Sequence, residues 1–280
     1  MEAPRAGDLR GPLPDGAMSG FLRRALRKWT PYGVVQWRRE RLYAASLRRY
    51  GIEGNAADIA SSAEASRFDL WPEHLRRRPA AWTLVDVGAN EGDFLRAVHL
   101  LVAPQKVIAV EPLADCQAVL RRRAGEYANR EVFQVILDDS PGTREILRTG
   151  NSVFSSVLQP VGDLSKSYGP TDSQVVERIS VRSETLDNLM KDSPGEIGLL
   201  KIDVQGFEAN VLRGAQATLR RTRAVLAEIN YVQHYERATG YRELFDMLHA
   251  AGFELHGISC PYRGPAGPLW ADAMFARNPG

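Results

Sequence analysis

Cysteine is scarce in this chain of 280 residues: Cys116 and Cys260 stand alone and far apart. No C-x-x-C and no Cys/His ligand spacing surrounds them, so neither a disulfide framework nor a zinc site is signalled, and both thiols are expected in the core. Long apolar runs are missing as well. None approaches the ~18 residues of a membrane span. No uninterrupted hydrophobic segment precedes a small-residue cleavage site near the N-terminus, so a reducing cytoplasm is the expected location. A surplus of one charge sign is nearly absent, with 36 basic against 34 acidic residues and a net charge of +2. That balance speaks against nucleic acid as a partner of the whole molecule. Finally, the spacing G-x-G occurs nowhere, which removes the G-x-G-x-x-G fingerprint of dinucleotide binding.

What is present is unevenly spread. Residues 21–50 carry nine Arg or Lys against the single acid Glu40, which is +8 and leaves −6 for the rest. Residues 1–20 are rich in Gly, Pro and Ala with few large apolar side chains, and are expected to form a disordered tail. FLRRALRKW from Phe21 sets Phe21, Leu22, Ala25, Leu26 and Trp29 on one helical face, opposite arginines, and Pro31 ends it. Two readings stand for this basic helix: an apolar stripe docked on the main domain, or a peripheral contact with an anionic membrane surface. Residues 21–79 are taken as a helical extension and 80–280 as the main domain.

From residue 80 short apolar runs alternate with helical segments, the pattern of a parallel sheet with crossover helices. The runs are WTLVDV (82–87), KVIAVE (106–111), VFQVIL (132–137), GLLKID (198–203), AVLAEIN (224–230), FELHGIS (253–259) and WADAMFAR (270–277). Helices are expected near 91–101, 113–128, 206–221 and 240–251. Seven strands emerge. The last pair is joined by PYRGPAGP with no helix, so the seventh should return antiparallel. The third and fourth strands lie about sixty residues apart, too far for a simple connection, so 141–195 is a substrate-side insert with structure of its own. Within it, VVERISVRSETLDNL reads as a strand leading into a short helix.

Ligands of parallel sheets sit at the carboxyl ends of the strands. There Asp86-x-Gly88-x-x-x-Gly92 puts a carboxylate before the glycine turn, which would repel a pyrophosphate but suit a cationic ligand. Glu111 ends the second strand, where a carboxylate can accept two ribose hydroxyls, and Asp138 and Asp139 close the third, within reach of an adenine amino group. An amine-bearing adenosine compound without phosphates fits these charges, and S-adenosylmethionine is such a compound.

LVDVGANEGDF (84–94), VIAVEP, NSVFSSVL (151–158), TLDNL (185–189) and above all LLKIDVQGFEANVLRGA (199–215) resemble the FkbM-type S-adenosylmethionine-dependent methyltransferases. The resemblance covers roughly residues 80–277. It implies a class I methyltransferase, Rossmann-like α/β fold: seven strands, mostly parallel, the last antiparallel. It further implies a cofactor site at Asp86, Gly88, Ala89, Asn90, Gly92, Asp93 and Phe94 with Glu111 and Pro112, and O-methylation of hydroxyls, often on sugars or natural products. The family's serine-rich N-S-x-S pattern is interrupted here by Val153 and Phe154, which leaves Asn151, Ser152, Ser155 and Ser156 as acceptor-side candidates on a loop able to cover the site.

Methyl transfer to a hydroxyl needs positioning and a base. Asp203 ends the fourth strand beside the expected methyl group, and Lys201, two residues earlier, shares its face and should pair with it. His234 follows the fifth strand and titrates near neutrality, which makes it the better matched base. Glu228 and Asn230 end that strand on the acceptor side. With Asp203 they could offer oxygen ligands to Mg²⁺, but their spacing is not diagnostic and no metal site is assigned. Glu208 is read as stabilising a helix N-terminus. The resulting expectation is an O-methyltransferase acting on a sugar hydroxyl of a glycan, glycolipid or glycosylated metabolite. Alternatives are a polyketide-type hydroxyl, or a module that binds the cofactor without turning over.

Overall fold

In the computed structural model, residues 52, 55–77, 80–162, 164 and 173–277 are described. The tail and the basic segment of residues 21–50 lie outside them. Residues 84–87 are buried without a break, as a strand covered on both faces must be. This strand, β1 (Ala80–Val87), is followed by β2 (Pro104–Val110), β3 (Arg130–Phe133), β4 (Ile136–Leu137) and β5 (Gly142–Thr149). Then come β6 (Val175–Glu184), β7 (Ile197–Ile202), β8 (Thr222–Asn230), β9 (Glu254–Ile258), β10 (Tyr262–Gly264) and β11 (Gly267–Ala276). The helices are α1 (Ala56–Ala65), α2 (Asp93–Leu101), α3 (Ala114–Ala124), α4 (Leu186–Leu189), α5 (Glu208–Arg213), α6 (Gln216–Arg220) and α7 (Tyr241–Ala250).

The main sheet runs β10-β11-β8-β7-β1-β2-β3, with β9 also paired to β11. Strands β3, β2, β1, β7 and β8 are mutually parallel, and β11 returns antiparallel to β8. This strand order, reversing at β1 and closed by an antiparallel hairpin, is the class I methyltransferase arrangement that the strand count and the helix-free last connection anticipate. Side-chain alternation divides the core. Leu84, Val107, Leu199, Leu226 and Met274 meet α1, α2, α3 and the segment Phe68–Leu75 on one face. Val85, Ile108, Leu200, Val225 and Phe275 meet α5, α6 and α7 on the other. No helix among the described residues is long and apolar enough to cross a membrane.

Four expectations are corrected. The main sheet has eight strands and not seven, because β10 forms within the link PYRGPAGP. Only Cys116 of the two thiols expected in the core is buried, and Cys260 is exposed. The run 132–137 is not one strand: β3 stays in the main sheet, while Ile136 and Leu137 leave it to pair with Ser183 and Glu184 of β6. Residues 135–138 are all buried, because the chain there passes between two sheets, where an alternating exposed face is impossible. The run 206–221 is two helices, broken at Gly214, where an added Cβ would stand 2.1 Å from the carbonyl oxygen of Asp138. The second piece, α6, is capped from the insert: Asp187 accepts the Ala217 and Thr218 amides at 2.8 and 2.7 Å. As anticipated, the insert contains a strand (β6) leading into a short helix (α4). It also contains β5, and β4-β6-β5 form a second sheet. Ile146 and Val181 pack it against Leu113 and Phe207.

Candidate active site

The parallel strands bring the turn after β1, Glu111 after β2, Asp203 after β7 and the end of β8 to one edge of the sheet. A cavity of about 400 Å³ opens there, within the range of small-molecule sites. Glu111 and Asn90 line one end with Val135, Ile136 and Leu137, and Glu228, Tyr262 and Trp270 line the other. Asp203 and the segment Ser152–Val157 lie along it.

Gly88 makes the turn possible. It has φ +75°, and a Cβ there would lie 1.8 Å from the carbonyl oxygen of Asp203, so the ends of β1 and β7 approach as only glycine allows. Asn90, also left-handed at φ 47°, is a residue type that tolerates this conformation. Its amide donates to Glu111 Oε2 at 2.8 Å, and the Leu113 amide donates to Oε1 at 2.9 Å. Glu111 is thereby fixed in place with acceptor capacity left on both oxygens. Burial pushes its pKa up to about 7, against the pull of those two amides.

Behind the turn lies a charged cluster. Lys201 Nζ stands 3.2 Å from Asp86 Oδ1 and 3.4 Å from Asp203 Oδ2, and donates to the Gly88 carbonyl at 2.8 Å. Burial alone would lower the Lys201 pKa; the two aspartates hold it above its ordinary value. Asp86 is completely buried and does not line the cavity; burial raises its pKa and Lys201 opposes the rise. Glu228 does line the cavity. Its pKa is well above the ordinary carboxylate range, through burial first and then the charges of Asp203, Glu208 and Asp272. Asp272 faces it across the β8–β11 pair and is held by Arg67 Nε at 2.5 Å. Glu208, buried and with its pKa likewise pushed up to about 7 by burial, accepts the Val204 and Gly206 amides at 3.3 and 3.0 Å and so shapes the turn after β7.

The serine-bearing loop is fastened at several points. Ser152 Oγ accepts from the Asn90 side chain at 3.0 Å, Ser156 Oγ donates to the Gln205 carbonyl at 2.8 Å, and Ser155 Oγ accepts the Thr149 amide at 3.1 Å. All three serines line the cavity. Asn151 instead caps the short turn that follows, accepting the Val153 amide at 3.3 Å. The Tyr235 hydroxyl donates to the Phe154 carbonyl at 2.8 Å.

The other expected site residues divide plainly. Pro112 joins the lining. Ala89, Gly92, Asp93 and Phe94 do not: Ala89 is core, Gly92 begins α2, Asp93 pairs with Arg123 at 2.8 Å, and Phe94 lies under Lys201. Asp138 is buried and bound by Arg144 and Asn210, while Asp139 is exposed. Asn230 donates to Glu228 Oε1 at 3.1 Å. His234 is buried off the lining, burial lowers its pKa, and its carbonyl accepts the Val161 amide at 2.8 Å. Among the described residues no group of three His, Cys, Asp or Glu side chains is arranged to hold a metal ion. The sequence reading missed Tyr262 and Trp270, which sit in and beside a Pro/Gly-rich link taken as a plain connector; two aromatics flanking such a link were the available signal.

The family model described as the methyltransferase FkbM domain matches residues 86–255. The 2-O-methyltransferase NoeI of Sinorhizobium fredii is 27% identical over 185 residues, which are 61% of this chain and 72% of that one. The 31-O-demethyl-FK506 methyltransferase FkbM of Streptomyces tacrolimicus is 29% identical over 192 residues, 60% of this chain and 71% of that protein. The AMB antimetabolite synthetase AmbE of Pseudomonas aeruginosa is 29% identical over 210 residues, 63% of this chain but 10% of that protein.

Proposed function

Because the chain belongs to the FkbM methyltransferase domain family, we propose that it moves the methyl group of S-adenosylmethionine to a hydroxyl oxygen on a sugar of a glycan, glycolipid or glycosylated metabolite. The names of two relatives, a 2-O-methyltransferase and a 31-O-demethyl-FK506 methyltransferase, support oxygen as the accepting atom. The observation that carries the reading is the polarity of the cavity: a carboxylate fixed by two amides at one end, and a carboxylate of raised pKa at the other.

The lining fits such a cofactor. Glu111 retains acceptor capacity for two ribose hydroxyls, and Val135, Ile136 and Leu137 offer an apolar bed for adenine. Asp86, Asp203 and Asp272 outnumber Lys201 and Arg67, so the cluster favours an incoming positive charge, which would in turn draw Glu228 towards its ionised form. S-adenosylmethionine, when bound, supplies a methyl group on a sulfonium for in-line displacement. The chain's own task is to hold the acceptor hydroxyl and take its proton. Glu228 Oε, once ionised beside the sulfonium charge, is the acceptor of that proton in this reading, since burial among Asp203, Glu208 and Asp272 makes its carboxylate a stronger base than an ordinary one. His234, off the lining, positions the loop through its carbonyl, and Asp203 contributes charge beside the transfer.

Calorimetric titration with S-adenosylmethionine, S-adenosylhomocysteine and NAD tests this. Saturable binding of the first two and not of NAD, weakened by Glu111→Ala, is the expected result. Failure of the folded protein to bind either sulfur compound overturns the reading.

A further inference from the structure

We propose that Tyr262 and Trp270 form the platform on which the sugar ring of the acceptor lies flat; this rests on reading the cavity as a methyl-transfer site. The two residues are cross-strand partners in the β10–β11 pair. Their rings are stacked, with centroids 5.4 Å apart and planes within 8° of parallel. Both line the cavity, and β11 lies beside β8, the strand of Glu228, with β7 and β1 between β8 and β2, which Glu111 follows. Tyr262 keeps 44% of its surface exposed, so the stack is reachable from solvent.

The chemistry of this end selects a ring with one apolar face and several hydroxyls. In such a stack each ring covers one face of the other, so the surface offered to a ligand is the free face of one ring, held rigid by its partner and with few rotamers to fix on binding. The C–H face of a pyranose carries partial positive charge, which the negative face of an aromatic ring attracts. Hydrogen-bonding groups stand beside the plane. Trp270 is directly across from Asn230, whose amide holds Glu228 Oε1 at 3.1 Å, leaving Glu228 Oε2 for a ring hydroxyl. A flexible aliphatic chain bearing one hydroxyl has no use for a flat wall. A phenol would stack but would have a single hydroxyl to offer. Both aromatics fall after residue 255, beyond the match to the family model.

The test uses the full chain, with and without saturating S-adenosylhomocysteine, titrated calorimetrically with methyl glycosides and short oligosaccharides of gluco, galacto, manno, rhamno and fuco configuration, and with catechol as the flat aromatic control. The expected result is saturable binding of at least one saccharide, weakened roughly tenfold by Trp270→Ala and by Tyr262→Ala and largely retained by Trp270→Phe. S-adenosylhomocysteine affinity should stay within about twofold of wild type in all three, which also reports an intact fold. No saturable binding of any saccharide with or without S-adenosylhomocysteine, binding of catechol in preference to every saccharide, or saccharide binding untouched by both alanine variants overturns the proposal. Loss of S-adenosylhomocysteine binding by the wild-type chain would instead overturn the methyl-transfer reading, while the titrations without it still report on the platform.

Discussion

Replacing Lys201 by Met should destabilise the protein strongly, and in a pH-dependent way. Lys201 is the cation beside the fully buried Asp86, at 3.2 Å, and it also ties the Gly88 carbonyl at 2.8 Å. Methionine fills similar volume, so the loss is mainly electrostatic. Breaking a buried pair by removing one partner costs about 3–5 kcal/mol, which for a chain of this size is a fall of roughly 6–20 °C in melting temperature. The sign of the pH effect follows from Asp86, whose folded pKa is already raised by burial and would rise further without Lys201. A raised carboxylate binds its proton more tightly folded than unfolded, so in the variant stability falls as pH climbs from the unfolded value of about 3.9 through the folded value. Thermal or urea unfolding at pH 5 and pH 8 should therefore show the smaller deficit at pH 5. Asp86→Asn combined with Lys201→Met should recover much of the loss. A deficit equal at both pH values, or a double variant no more stable than the single one, would refute the account of Lys201 as the counter-charge of Asp86.

Three other outcomes follow from the site. Glu111 has its pKa pushed up to about 7, and hydroxyl donors favour the ionised form, so S-adenosylhomocysteine affinity should rise between pH 6 and pH 8 with proton release on binding; calorimetry in two buffers of different ionisation enthalpy measures it, and a flat profile would sink the ribose role. Glu228→Gln should lower the methyl-transfer rate by about 10²–10⁴-fold on any acceptor that turns over, with S-adenosylhomocysteine affinity kept, whereas His234→Gln should cost less; the reverse ranking restores His234 as the base. If the basic segment at residues 21–50 holds the protein to a membrane face, the full chain should float with vesicles of anionic lipid and lose this on deletion of residues 1–50, and absence of flotation by the full chain removes the idea.

Much of the fold is legible in the sequence because burial on both faces leaves a continuous apolar run. GLLKID and AVLAEIN mark β7 and β8 to within two residues. VFQVIL misleads because apolar content says that residues are buried, not against which sheet. Gly214 within an otherwise helical pattern was the sign of a break, and its reason, the close Asp138 carbonyl, is a long-range contact that no local pattern contains. At the site, strand-end position locates Glu111, Asp203 and Glu228 in the lining. It does not tell which carboxylates reach the cavity and which are taken by protein partners: Asp86 and Asp138 have the same chemistry as Glu111, but Lys201, Arg144 and Asn210 occupy them. The Tyr262–Trp270 pair was least legible, since all of β10 falls within the Pro/Gly-rich run 261–268 that reads as a link.

The serine-bearing loop touches both ends of the cavity at once. Ser152 is bonded to Asn90 in the cofactor turn, while Phe154 and Ser156 are bonded to Tyr235 and to the backbone of Gln205 nearer the acceptor end. On the proposed function one segment would contact both ligands, and any ordering of it by the first would lower the entropy that the second must remove. The thermodynamics of such an arrangement is reciprocal: the factor by which a bound cofactor tightens the acceptor is the factor by which a bound acceptor tightens the cofactor. If the proposed function holds and that coupling is favourable, the spent cofactor would be held most firmly while the methylated product is still in place.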